Sequence, residues 1–162
     1  MTAAELVRLL QDLYRDKNAS RDRHVAGARF VSSYEFNNTY QYIIGREDTQ
    51  ISWLRQVLED LGAPVPGDWP ELPVPEGRGE ARQQAIIEDD VRLMRAFHER
   101  WAPRVGAMTN VRHRIMANVI LNEAVEQARF FAQMIEGRQD VLGRRMPGAS
   151  TGGGVLSTRW VE

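Results

Sequence analysis

The chain contains no cysteine, which excludes disulfides, thiolate metal sites and cysteine nucleophiles. It also lacks an excess of charge: 27% of its residues are charged, yet the net charge is -1. That balance argues against a dedicated binder of nucleic acid or anionic membrane, because such proteins carry a basic patch. No stretch approaches the roughly 18 apolar residues that a membrane-crossing helix needs. The start, MTAAELVRLLQDLY, has neither the basic opening nor the continuous apolar run of a signal peptide, so a cytoplasmic location is expected. The phosphate-binding patterns GxxxxGK[ST] and GxGxxG are missing, and no serine has the strand-to-helix context of a nucleophile elbow. Proline is scarce outside one place: five of the seven fall in APVPGDWPELPVPEGRGE, residues 63–80.

What remains is helical periodicity in a chain of 162 residues, long enough for one domain with a real core. Thr2 followed by Glu5 is a capping box for a first helix, whose apolar stripe is Leu6, Leu9, Leu10 and Leu13, widened by Tyr14. Lys17–Ser20 (KNAS) reads as a break, since Asn and Ser compete for backbone hydrogen bonds. A second helical run then starts near Arg21–His24 and continues to Gly62, where the glycine ends it. The proline-rich segment cannot be helix or central strand and reads as a long crossing connection, with Trp69, Leu72 and Val74 as anchors. A third helix spans about Glu80 to Pro103, with Ile87, Val91, Met94, Phe97 and Trp101 inward, and a fourth runs from Thr109 or Asn110 to about Leu142. Residues 1–145 form the expected bundle. Residues 146–162 form a Gly-rich tail, flexible or docked on a partner through Val155, Leu156 and Trp160.

The stretch GREDTQISWLRQVLEDLG, residues 45–62, puts Ile51, Leu54, Leu58 and Leu61 on one face at spacings of three and four. Glu47 and Gln50 extend that face, so a carboxylate and an amide enter the interior one above the other. Asn38, Tyr40 and Gln41 lie just upstream and give the second helix a polar interior together with Gln50 and Gln127. Glu88, Asp89 and Asp90 form an acidic cluster on the third helix, and Glu123 and Glu126 stand on the fourth. His24 is read as a packing or capping residue. His98 and His113 approach each other near one end of the expected bundle and form a second candidate site.

The two halves echo each other. With Gln50 aligned to Gln127, Trp53 meets Phe130, Leu54 meets Phe131, Val57 meets Met134 and Leu58 meets Ile135, which suggests two helical hairpins in pseudo-two-fold packing. In REDTQISWLRQVLEDLG and ILNEAVEQARFFAQMI the chain resembles the ferritin-like superfamily, its rubrerythrin-type members above all. The resemblance implies an all-α, ferritin-like up-down four-helix bundle, with a long Pro-rich connection between helices two and three. It also implies Glu-x-x-His motifs on helices two and four and one further Glu on each of helices one and three, a set that holds a di-iron or di-manganese pair. Here Glu47 takes the first motif's Glu position and Gln50 its His position, while Ala124 and Gln127 take those of the second motif. Glu88 matches on helix three, and Tyr14 stands where the helix-one carboxylate belongs. Two carboxylates are too few to offset two metal cations.

The favoured expectation is therefore a non-catalytic ferritin-like scaffold or binding protein that has lost its dimetal centre, uses no cofactor and self-associates, as a dimer in the first instance. One alternative is an iron- or manganese-dependent oxidoreductase or metal-storage protein using Glu47, Glu88, Glu123 and Glu126. Another is a partner-binding module that acts through its C-terminal tail.

Overall fold

The computed structural model describes residues 1–143; the tail expected at 146–162 lies outside the described residues. Four helices carry the structure: α1 (Ala3–Ala28), α2 (Tyr34–Asp60), α3 (Gly79–Gly106) and α4 (Val111–Ile135). They pack as two helical hairpins, α1 with α2 and α3 with α4. Among the described residues no helix is long and apolar enough to cross a membrane.

The caps follow the sequence signals. Thr2 accepts from the Glu5 amide while the Glu5 carboxylate accepts from the Thr2 amide at 2.6 Å, which is the capping box. Ser33 and Asn110 cap α2 and α4 by accepting from the Phe36 and His113 amides. Gly62 (φ 64°) and Gly137 (φ 82°) end α2 and α4 in the left-handed region. Just beyond them the Ala63 amide donates to Leu58 O at 2.9 Å and the Arg138 amide to Gln133 O at 3.1 Å, the long bonds of a Schellman turn. The turn at Gly137 also explains why α4 stops at Ile135 rather than continuing to Leu142.

A second boundary also differs from expectation. Residues 17–20 are not a break: α1 runs through them unbroken, and the chain reverses instead at residues 29–33. Lys17, Asn18, Ala19 and Ser20 are all buried. The Asn18 amide is satisfied inside the helix, donating to Tyr14 O at 2.8 Å, so its competition with the backbone is absorbed. Burial against the rest of the bundle overrides the low propensity of these residues.

The connection, residues 61–78, decides the topology. Gln11 donates to Pro64 O at 2.8 Å, the Trp69 indole donates to Asp22 at 2.8 Å, and Arg23 donates to Pro73 O at 2.9 Å. Later residues of the connection meet later residues of α1, so it runs along the side of the bundle in the direction of α1. The second hairpin thus begins at the end where the first one turns. Salt bridges Arg104–Asp12 (2.9 Å), Arg100–Asp16 (2.7 Å) and Arg23–Asp89 (2.9 Å) place α3 antiparallel to α1. Arg46–Glu123 (2.5 Å) and the edge-on Tyr42–Phe130 pair place α4 antiparallel to α2. Each hairpin is up and down, and the crossover makes the whole order up, down, down, up. One long crossover connection is a recognised way of closing a four-helix bundle.

The core runs the length of the bundle between Leu10, Leu13, Leu54 and Leu58 at one end and Tyr40, Ile43, Ile86 and Phe131 nearer the other. Phe97, Trp101 and Met94 fill the α3 side. Into this apolar interior the sequence inserts one charged layer.

Candidate functional site

The charged layer is built from α1, α2 and α3. Lys17, His24, Glu47 and Asp90 have no exposed surface, and Arg23 is 1% exposed. Lys17 and His24 are one heptad apart in a row, Leu10, Leu13, Lys17, Ser20, His24, Gly27, whose steps of three and four keep them on the inner face of α1. Glu47 occupies the equivalent row of α2 between Ile44 and Ile51, and Asp90 that of α3 between Ile87 and Met94.

Glu47 is the hub. One of its oxygens accepts from His24 Nδ1 and the other faces Lys17 Nζ at 3.2 Å. The opposite ring nitrogen of His24, Nε2, faces Asp90 Oδ1 at 3.6 Å. Asp90 accepts from the Tyr40 hydroxyl on its other oxygen, and Arg23 approaches it at 3.5 Å while donating to Asp89 at 2.9 Å. The imidazole therefore bridges two carboxylates. Phe97 lies 5.0 Å from the Lys17 ammonium, and Phe131 packs on His24 and Tyr40 with centroids 5.3 and 5.1 Å away.

Proton affinities reflect this geometry. For His24, burial works against the imidazolium, but Glu47 and Asp90 outweigh it and raise its pKa. For Glu47, burial favours the neutral acid, yet His24 and Lys17 outweigh it and hold the carboxyl below its usual range. Asp90 goes the other way: burial dominates and raises it, against the opposing pull of His24 and Arg23. Burial and the neighbouring Asp90 push the Tyr40 phenol well above its ordinary value, so it stays a hydrogen-bond donor. With His24 protonated, the interior cations Lys17, Arg23 and His24 face the anions Glu47, Asp89 and Asp90.

The layer is matched in charge but not fully in hydrogen bonds. Lys17 Nζ, Glu47 Oε2, His24 Nε2, Asp90 Oδ1, Gln50 Oε1 and both side-chain polar atoms of Gln127 are buried without a well-formed hydrogen bond among the described residues. Buried polar groups left in this way are costly and mark places held for function or solvent.

The sequence candidates separate in space. Glu47 is buried at the hub. Glu123 is half-buried at the edge of α4 and accepts from Arg46 and from the Gln50 amide. Glu88 is exposed and accepts from Gln84 at 2.9 Å, and Glu126 is exposed and paired with Arg129. The four carboxylates are thus not brought together, because positions 88 and 126 fall off the inward rows of their helices. Tyr40, Gln50 and Gln127 are buried, whereas Asn38 and Gln41 are exposed, off the row that runs through Tyr40, Ile44 and Glu47. His98 lines a groove between α3 and α4 with Val125 and Ala128. His113 lines another, between α2 and α4, with Trp53 and Met116. The two grooves lie on different faces of α4, and His98, on α3, and His113, on α4, are not brought together.

The residues present do not fit a dimetal centre. Gln50 and Gln127 are neutral amides, Ala124 has no donor, and an ammonium is already paired to the one carboxylate of the first motif. Among the described residues no group of three or more His, Asp or Glu side chains is arranged to hold a metal ion.

Sequence reasoning missed Lys17, Arg23, His24 and Asp90. The signal for three of them was their place in the apolar rows. A second signal was composition: of the 21 basic residues, Lys17 is the only lysine and all the others are arginine. Compared with protein-family models, with curated proteins and with solved structures, the chain has no match in any of the three.

Proposed function

We propose that the protein is a non-catalytic ferritin-like scaffold in which an ionic layer of protein side chains replaces the dimetal centre. The observation that carries this reading is the Lys17–Glu47 pair, 3.2 Å apart with neither side chain exposed. Support comes from register. Glu47, Gln50, Ala124 and Gln127, the positions where the resemblance implies the two Glu-x-x-His motifs, are all buried in the bundle interior. The inward geometry of such motifs is kept while three of the four donors are changed. The crossover between two hairpins is also the connectivity that ferritin-like bundles use.

In this reading the interior holds the two hairpins in register and the outer helix faces are what the protein presents to other molecules. The test is elemental analysis of untagged protein purified without added metal, together with its visible spectrum before and after ferrous iron and air. Metal far below one equivalent per chain, removed by chelator, with no iron-oxidation signal, is the expected result. About two equivalents of iron or manganese per chain, the stoichiometry of a dimetal site, would overturn the reading and return attention to the oxidoreductase or storage alternative.

A further inference from the structure

We propose that the face made by α2 and α4 is where two copies of this chain pair, about a two-fold axis parallel to the helices. The other sides of the bundle are closed or charged. The connection 61–78 lies along α1, and the salt bridges Arg100–Asp16 and Arg104–Asp12 tie α3 to α1. Arg95, Glu99 and Arg129 put charge along the groove between α3 and α4. The α2–α4 side instead has an apolar middle. Trp53, Val57 and Met116 line its groove half-buried, and Ile115 and Val119, 60% and 38% exposed, stand beside them on α4. Spaced by four, those two lie one above the other on the helix. Tyr42, further along α2, is also exposed. An apolar patch with a polar rim is the anatomy of an interface.

Charge and size both favour a second copy as the occupant. At one level of the face α2 carries Asp60 and α4 carries Arg112, both exposed and both lining the groove. At another level α2 carries Arg46 and α4 carries Glu123, already paired within the molecule. A two-fold axis parallel to the helices lays α2 of each copy over α4 of the other, level with level. Asp60 of one copy then meets Arg112 of the other, Ile115 meets Trp53, and the symmetry repeats each contact. The face is thus complementary to itself in charge. It is also large enough. With 27 residues in α2 and 25 in α4, it is about 40 Å long, and two helices about 10 Å apart make it about 20 Å wide. That is about 800 Å² per copy, the area a specific interface of standard size buries.

Sedimentation velocity of the full chain at about 10–100 μM, a range in which an interface of this size pairs, is the test. The wild type is expected to be a dimer. Ile115→Glu is expected to be a monomer with an unchanged far-UV circular dichroism spectrum, because the side chain it replaces is exposed. Asp60→Arg and Arg112→Asp are each expected to weaken pairing about 10-fold or more, since like charges then face each other. The double variant restores opposite charges at both contacts and is expected to recover the pairing. A wild type that is monomeric at every concentration would overturn the proposal and leave the face to residues 144–162 or to an unlike protein. A dimer that Ile115→Glu leaves intact would overturn it as well, and a double variant no better paired than the single ones would overturn the two-fold arrangement. Metal analysis reads the interior and sedimentation reads this face, so each reading fails on its own result.

Discussion

Replacing Glu47 by Gln removes one charge with almost no change of shape, so its effect isolates the electrostatics of the buried layer. Glu47 has no exposed surface and touches two cationic groups, Lys17 at 3.2 Å and the His24 ring. Removing one partner of a buried ion pair typically costs about 3–5 kcal/mol, because the other charge stays buried and unpaired. His24 can relieve its share by releasing its proton, whereas Lys17 is fully enclosed and, among the described residues, is paired with no second carboxylate. We therefore expect Glu47→Gln to lose about 3–4 kcal/mol at neutral pH, a large part of the stability of a typical domain. Lys17→Met should lose less, about 1–3 kcal/mol, because Oε2 of Glu47 loses its counter-charge while the carboxylate keeps His24 as a partner. The double variant should be more stable than either single one, because replacing a whole buried pair with uncharged groups is often neutral. Urea unfolding followed by far-UV circular dichroism measures all four proteins, and the cycle gives a coupling of about 2–3 kcal/mol. A Glu47→Gln variant within about 1 kcal/mol of wild type, or a double variant that loses the sum of the two single losses, would refute the reasoning.

Three further outcomes are expected. Because His24 has a raised pKa, its contribution is fully present below the ordinary histidine value and is lost as pH rises through the raised one; Asp90, also raised, acts in the same sense. Urea midpoints measured from about pH 6 to about pH 9 should fall, and His24→Gln should flatten the profile. Glu47 is lowered and acts in the opposite sense, its contribution being lost only as pH falls through its depressed value in the acid range. Gly27→Ala should destabilise despite a helix-propensity gain of about 1 kcal/mol. A Cβ there would stand 2.6 Å from an Arg23 nitrogen and 3.0 Å from Ile86 Cγ2, and Arg23 is held by Pro73 and Asp89, so a net loss of about 1–2 kcal/mol in urea unfolding is expected. Tyr40→Phe removes the hydroxyl that donates to Asp90 and should cost about 1–3 kcal/mol in the same assay.

The helices and their caps were legible because local chemistry sets them. Thr2 with Glu5 forms its box, Gly62 ends α2, and the proline cluster is the connection. The inward direction of Glu47 and Gln50 was also readable from spacing. What was not readable came from reading residue type before position. Asn18 and Ser20 suggested a break, but the spacing of Leu10, Leu13, Lys17, Ser20 and His24 continues one helical row across it. Counting Asp90 with Glu88 and Asp89 as one acidic cluster hid that only Asp90 stands on the row of Ile87, Met94 and Phe97. The direction of the second hairpin depends on where the connection lies, and that is fixed by long-range bonds to Gln11, Asp22 and Arg23.

The division of the buried charges between the hairpins has a consequence for assembly. The α1–α2 hairpin contributes Lys17, Arg23 and His24 against the single carboxylate Glu47, while the α3–α4 hairpin contributes Asp89 and Asp90. Two copies of the first hairpin facing each other would bury an excess of cations, and two copies of the second would bury only anions. Each half is therefore a poor mate for itself and a good one for the other. If the chain were cut within 61–78, the two pieces should recombine as unlike pairs rather than as pairs of identical halves, and exchange of hairpins between whole molecules would preserve the same unlike pairing.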